Sequence, residues 1–275
     1  MISNHPRPGP GRHRQGVALL LAALLLGGVA GCAHQSMDSA ASEATSSHHD
    51  SEARRRARIR LELAASYLQR GQNAVALEEV SQALDADPGF ADAWHLRGLV
   101  HMAMGEMAKA EYHLKRAHGM KPRDPDILHN LGWLECQREQ YAQANDYFER
   151  ALAVPGYAER AKTLMSQGVC QRRAGQPAQA EQTLLRAYEI DAGNPVIGYH
   201  LAALMLARGE AQRAQFYVRR VNNGEFASAA SLWLGIKVER ALRDTVAMQQ
   251  LADQLRKRFP DAPETRALDR GAFDE

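Results

Sequence analysis

Apolar positions along the chain fall into three regimes. Val17–Gly31 is one unbroken apolar run, VALLLAALLLGGVAG, whereas residues 33–52 (AHQSMDSAASEATSSHHDSE) have no apolar period. From about residue 57 an Ala/Leu pattern sets in and repeats. A small residue recurs at Ala64, Gly98, Gly132, Gly168, Ala202 and Gly235, at intervals of 34, 34, 36, 34 and 33. Twelve residues after each stands an alanine: Ala76, Ala110, Ala144, Ala180, Ala214 and Ala247. Two series keeping step predict two helices per unit, crossing where small residues let the backbones approach. Gly71, Gly105, Gly175 and Gly209 fall where the first helix of a unit turns into the second. Pro88, Pro122 and Pro260 fall near unit ends, where proline stops a helix. The pattern predicts six helical pairs over residues 57–261.

A 34-residue period with these residues resembles the tetratricopeptide repeat. The second unit carries Trp94, Gly98, Gly105, Ala110, Leu114, Ala117 and Pro122; the third carries Leu131-Gly132, Ala144, Phe148 and Ala151. The resemblance implies an all-α solenoid of six helix-turn-helix repeats, wound as a right-handed superhelix. Two departures stand out. Two extra residues near Val154-Pro155-Gly156-Tyr157 are expected to lengthen the loop between repeats three and four. The sixth unit has Arg243-Asp244 in place of the turn glycine, as suits an end repeat that lacks one neighbour. Residues 262–275 are read as a C-terminal tail.

The apolar run at the start is too short to span a bilayer. Fifteen helical residues cover about 22 Å, against a hydrocarbon core of roughly 30 Å. Behind a basic segment with Arg7, Arg12 and Arg14, it reads as a secretory signal over residues 1–31. Val29-Ala30-Gly31-Cys32 resembles a bacterial lipobox, which implies cleavage before Cys32 and acylation of its thiol. Ala33 rather than Asp after the cysteine implies sorting to the outer membrane, facing the periplasm. Residues 32–56 are expected to be the acylated cysteine and a flexible tether reaching roughly 25 Å over about twenty residues. His48-His49 within it are polar filler, not a metal site.

Composition sharpens this picture. The whole chain counts 34 Lys+Arg against 32 Asp+Glu, net +2, but three of the arginines precede Cys32, where no acid occurs. The mature chain is therefore near neutral, which gives no support to nucleic-acid binding. Hydrophobic residues make up 45% and aromatics 6%, which favours helices over a β-sandwich. The three cysteines, Cys32, Cys136 and Cys170, form no disulfide framework.

No catalytic motif is present: no G-x-x-x-x-G-K-[ST], no H-E-x-x-H and no G-x-S-x-G. No cofactor, metal or small-molecule substrate is expected, and no enzyme. Cys136 and Cys170 lie on first helices of neighbouring repeats at positions that differ by two. That offset turns their side chains by about 200°, so two free thiols, buried or half-buried, are expected rather than a bridge. His95 and His129 share the fifth position of their repeats and are read as partner contacts or polar filling.

In tetratricopeptide arrays, positions 2, 5, 9 and 12 of the first helix line the concave surface. Here those include Leu61 and Leu68; His95, Leu99 and Met102; His129, Trp133 and Cys136; Met165, Val169 and Arg172; and Tyr199. A face so rich in Leu, Met, Trp and Tyr is costly to hydrate unless it receives an apolar segment.

A narrower resemblance rests on three stretches. His129-Asn130-Leu131-Gly132-Trp133-Leu134-Glu135-Cys136-Gln137, with Tyr141, Phe148, Pro155 and Tyr157, is similar to the PilF/PilW family of type IV pilus lipoproteins. So are SLWLGIKVER at 231–240 and Leu255-Arg256-Lys257-Arg258-Phe259-Pro260. Glu135 departs from the apolar residue expected there. The resemblance implies a pilotin: a lipoprotein that escorts the pilus secretin to the outer membrane and helps its subunits form a ring. Leu61, Tyr67 and Leu68 in the repeat nearest the anchor are then candidate contacts. The alternative is an outer-membrane repeat scaffold for other envelope or cell-wall assembly factors.

Overall fold

The computed structural model describes residues 37–273, with side chains from residue 52 onward. The signal segment 1–31 and Cys32 lie outside the described residues. Among those residues there are thirteen helices and no strand. Twelve form six antiparallel pairs: α1 (Met37–Gln69) with α2 (Asn73–Ala86), α3 (Ala91–Ala103) with α4 (Met107–Met120), and α5 (Pro125–Gln137) with α6 (Tyr141–Leu152). The series continues with α7 (Arg160–Arg173) and α8 (Pro177–Ile190), α9 (Pro195–Ala207) and α10 (Ala211–Asn222), then α11 (Ala229–Ala241) and α12 (Thr245–Arg258). A short α13 (Pro263–Arg270) follows. No described helix is long and apolar enough to cross a membrane.

The small residues sit at the helix crossings. A Cβ built on Gly98 would lie 2.6 Å from Leu114 Cγ, one on Gly132 2.8 Å from the Phe148 ring, and one on Gly168 2.6 Å from Leu184 Cγ. The partners Ala110, Ala144 and Ala180 are fully buried, and Leu114, Phe148 and Leu184 stand one turn beyond them. A side chain at those glycines would force apart helices packed at interior density. Repeats one and five use alanine at the crossing, Ala64 and Ala202, both fully buried.

The turn between paired helices needs one residue in the left-handed region. Gly71, Gly105, Gly175 and Gly209 supply it with φ of 71–78°. Repeats three and six place Glu139 and Arg243 there instead, each at φ 62°, a conformation that costs a non-glycine about 1 kcal/mol or more. Asp124 and Asn194 cap α5 and α9 by accepting two backbone N–H bonds each, and Ser228 forms a reciprocal capping box with Ser231 at α11.

Three features differ from the sequence expectations. α1 begins at Met37, inside the stretch read as a flexible tether; no Gly or Pro interrupts residues 37–70, so nothing stops the helix there. The tail contains α13, which starts 34 residues after α11 and occupies the place of a further first helix. It covers Leu232, Trp233 and Ile236 with Ala267 and Leu268, while Phe273 stacks on Trp233 at 5.2 Å. Finally, Cys136 and Cys170 are joined by a disulfide between α5 and α7, with Cα atoms 5.8 Å apart. The expectation of free thiols misjudged which faces meet. The forward face of one first helix packs on the backward face of the next, so an offset of about 200° turns the two thiols toward each other.

The insertion between repeats three and four does more than lengthen a loop. It lays Tyr157, 7% exposed, over α7, where its hydroxyl bonds Thr163 Oγ1 at 2.9 Å and reaches Asp126 at 3.4 Å. Thr163 Oγ1 also meets His129 Nδ1 at 2.9 Å. His129–Thr163 and Cys136–Cys170 are thus two rungs of one ladder, two helical turns apart.

Candidate protein-docking face

Positions 3 and 7 of each first helix normally pack against the preceding repeat. Ile127, Leu131, Ile197 and Leu201 hold those positions and are fully buried. In the first repeat the same positions are Ile59 and Leu63. Among the described residues no helix precedes α1, and these two side chains are 54% and 41% exposed. Val75 on α2 is exposed as well. Sequence reading had not singled them out. Their register was the available signal: apolar residues at the third and seventh positions of the first unit of the pattern. Leu61 packs beside Ala57, Ala64 and Val80, and Tyr67 and Leu68 are half-buried, so the first repeat offers a mixed apolar surface.

The remaining concave candidates divide by burial. Leu99 and Met102 are half-buried against the Leu128–Leu131 cluster, and Met165 and Tyr199 against the Leu201–Met205 cluster. Trp133 is half-buried over the disulfide cluster, with the Arg173 guanidinium 5.3 Å from its ring. His95 is half-buried, and its Nε2 lies 2.8 Å from Asn130 Nδ2. Burial holds its pKa below the usual histidine value despite the opposing pull of Asp124, Asp126 and Asp92. His129 and Val169 are different. At 4% and 7% exposed, they offer a partner no surface. His129 spends its ring nitrogen on Thr163, and burial lowers its pKa to about 4.

Buried polar groups serve the architecture. Glu135, 1% exposed, accepts Arg138 Nη1 at 3.2 Å on both oxygens, and Arg138 also reaches Glu111 at 2.8 Å. This pairing is what allows an acid where an apolar residue was expected. Glu239 is buried likewise beside Arg219 at 2.9 Å and Gln215 at 2.7 Å. His101 and His113 stack at 5.0 Å between α3 and α4, and Trp94 lies 5.5 Å beyond His113. Burial, helped by Arg97, lowers the His113 pKa to about 4. Among the described residues no group of three or more His, Cys, Asp or Glu converges as a metal site. The half-buried and exposed side chains of these faces present apolar and charged surface.

Comparison with known proteins places this arrangement. Tetratricopeptide repeat families match residues 89–155 and 129–195. The type IV pilus assembly protein PilF of Pseudomonas aeruginosa strain PAO1 is 25% identical over 204 residues, covering 74% of this chain and 81% of that protein. Among solved structures, PilW, a widely conserved type IV pilus biogenesis factor, superposes with a TM-score of 0.71 at 28% identity. That match covers 77% of this chain and 97% of PilW. The structure of Pseudomonas aeruginosa PilF gives the same TM-score at 24% identity, over 82% and 99% of the two chains, and speaks for the fold alone.

Proposed function

Because the chain is a PilF- and PilW-like tetratricopeptide repeat protein, we propose that it acts in type IV pilus biogenesis as a pilotin. In this reading a lipid on Cys32 addresses the protein to the outer membrane. At about 0.8 kcal/mol per buried CH₂, several acyl chains make the attachment effectively permanent. The segment after Cys32 provides reach, and the repeats hold a secretin subunit and promote its assembly into a multimer.

The observation that carries the reading is the match to PilW along nearly the whole of that protein. The first repeat adds a physical rationale. It lies nearest the anchor in sequence and leaves Ile59 and Leu63 uncovered at positions that repeats three and five bury. A hydrophobic secretin segment laid there beside Leu61 and Leu68 would gain roughly 25 cal/mol for each Å² of apolar surface removed from water. Ile59→Asp with Leu63→Asp tests this in cells. Secretin multimers are expected to fall while the variant stays folded, because both side chains face solvent. Multimers at the wild-type level would count against the contact.

A further inference from the structure

The first repeat is not the only place where apolar surface is held open. α9 approaches α10 so closely at Gly198 that a Cβ there would lie 2.8 Å from Val221 Cγ2. The α10–α11 connection then turns away and leaves a cleft of about 290 Å³, walled by Pro195, Val196, Tyr199, Val221 and Phe226. Phe226 is 66% exposed and Val196 43%. Their exposure is imposed by the fold. The connection is fixed on one side by the Ser228 capping box and by Arg258, whose Nη2 donates to the Ala227 carbonyl at 3.1 Å. Val196 and Tyr199 hold the second and fifth positions of their helix, so the cleft continues the concave face.

A smaller hollow of about 40 Å³ shares Pro195, Val221 and Phe226 and adds Tyr188, Tyr217 and Arg220. Two of its polar groups have no partner. The Tyr188 hydroxyl is buried without a hydrogen bond, its ring edge-on to Tyr217 at 5.1 Å. Arg220 is exposed and makes no hydrogen bond or ion pair among the described residues, although other arginines of this region, Arg208, Arg213 and Arg219, are all paired. Glu225, the acid of the connection, is not among the residues lining either space.

An exposed guanidinium left as a donor beside an apolar wall suits a carboxylate flanked by apolar side chains. The cleft lies at the lower end of the roughly 300–1,000 Å³ usual for binding sites and has the size to take one or two side chains. We propose that this cleft is a second docking site, taking a segment of another protein whose apolar side chains flank an Asp, a Glu or a C-terminal carboxylate. The apolar side chains would lie against Phe226, Val196 and Tyr199, and the carboxylate would accept from Arg220. It goes beyond the first-repeat contact and does not depend on it.

The test uses the full lipidated chain in its own cells, with benzoylphenylalanine in place of Phe226. After irradiation, the crosslinked segment is mapped by mass spectrometry. The expected adduct is one segment of another protein with a carboxylate beside apolar residues. Its yield should fall about tenfold in Arg220→Gln, the loss of one charge-assisted contact. No adduct, an adduct with lipid, with this chain or with a second copy, or a yield indifferent to Arg220→Gln would overturn the inference. If the segment belongs to a protein other than the secretin, the docking site stands and the secretin assignment does not extend to it. Secretin multimers lost in the Ile59/Leu63 variant, with no adduct at position 226, would overturn this inference alone.

Discussion

Cys136 on α5 and Cys170 on α7 are bonded 34 residues apart, tying the first helices of repeats three and four together inside a cluster with Ala144 and Phe148. One repeat length separates them, so the bond closes a loop that holds one complete second helix, α6, and the inserted connection. On the chain-entropy account, closing a loop of that length stabilises the fold by about 3–4 kcal/mol. Cys136→Ser with Cys170→Ser should lower the denaturation midpoint accordingly, and reductant should do the same to the wild type. Thiol titration of the denatured, unreduced chain should find neither cysteine free. Two reactive thiols there would contradict the bond.

Gly132 tests the packing rule. Its missing side chain is replaced in space by the Phe148 ring and by the Ala144 carbonyl, 3.1 Å from where a Cβ would stand. In Gly132→Ala the gain in helix propensity is about 1 kcal/mol, against an overpacking cost of about 1–3 kcal/mol. Net destabilisation by up to about 2 kcal/mol is expected in urea unfolding. Gly119→Ala, which would meet nothing within 4 Å, should be neutral or stabilising.

Acid should loosen the fold before the carboxylates titrate. His113 and His129 are 8% and 4% exposed, and their pKa values are lowered from 6.5 to about 4, burial being the main cause in both. The unfolded chain therefore binds more protons between those limits. Their neutral forms support the fold fully above pH 6.5, and that support is lost as pH falls toward 4, by up to about 1.4 kcal/mol per pH unit for each. Urea unfolding at pH 7 and pH 5 measures the slope. His113→Phe, which keeps a ring in the stack with Trp94 and His101, should flatten it; an unchanged slope would remove His113 from the explanation.

The C-terminal end should behave as a cap. Phe273 stacks on Trp233, and Arg240 lies 4.3 Å over the Phe273 ring. Phe273→Ala should cost about 1 kcal/mol, a fall in melting temperature of roughly 2–4 °C. Ending the chain at Asp261 should cost more and promote self-association, because it uncovers Leu232 and Ile236 on α11.

The repeat was legible because helix crossings and tight turns leave few residue choices. Ala64, Gly98 and Gly132 could be read as packing positions from spacing alone, and the six pairs follow from them. The disulfide was not legible from position numbers. Whether Cys136 meets Cys170 depends on which faces of successive helices oppose, a property of the stack and not of one repeat. The same limit applies to the docking face. Spacing placed His129 and Val169 on the concave side, but the inserted Tyr157 and the tight packing of α5 on α7 bury them. Ile59 and Leu63 hold register positions that repeats three and five bury, and no described helix precedes α1 to cover them. Phe226 sits in an irregular connection where no period applies.

The central claim, that a lipidated repeat protein carries the secretin to the outer membrane, is tested most directly by Cys32→Ser. Secretin location and multimer state should be measured together, by membrane fractionation and gel analysis without heat denaturation. The account predicts that the unlipidated protein remains folded while the secretin fails to accumulate as outer-membrane multimers. Secretin multimers reaching the outer membrane at the wild-type level would contradict it.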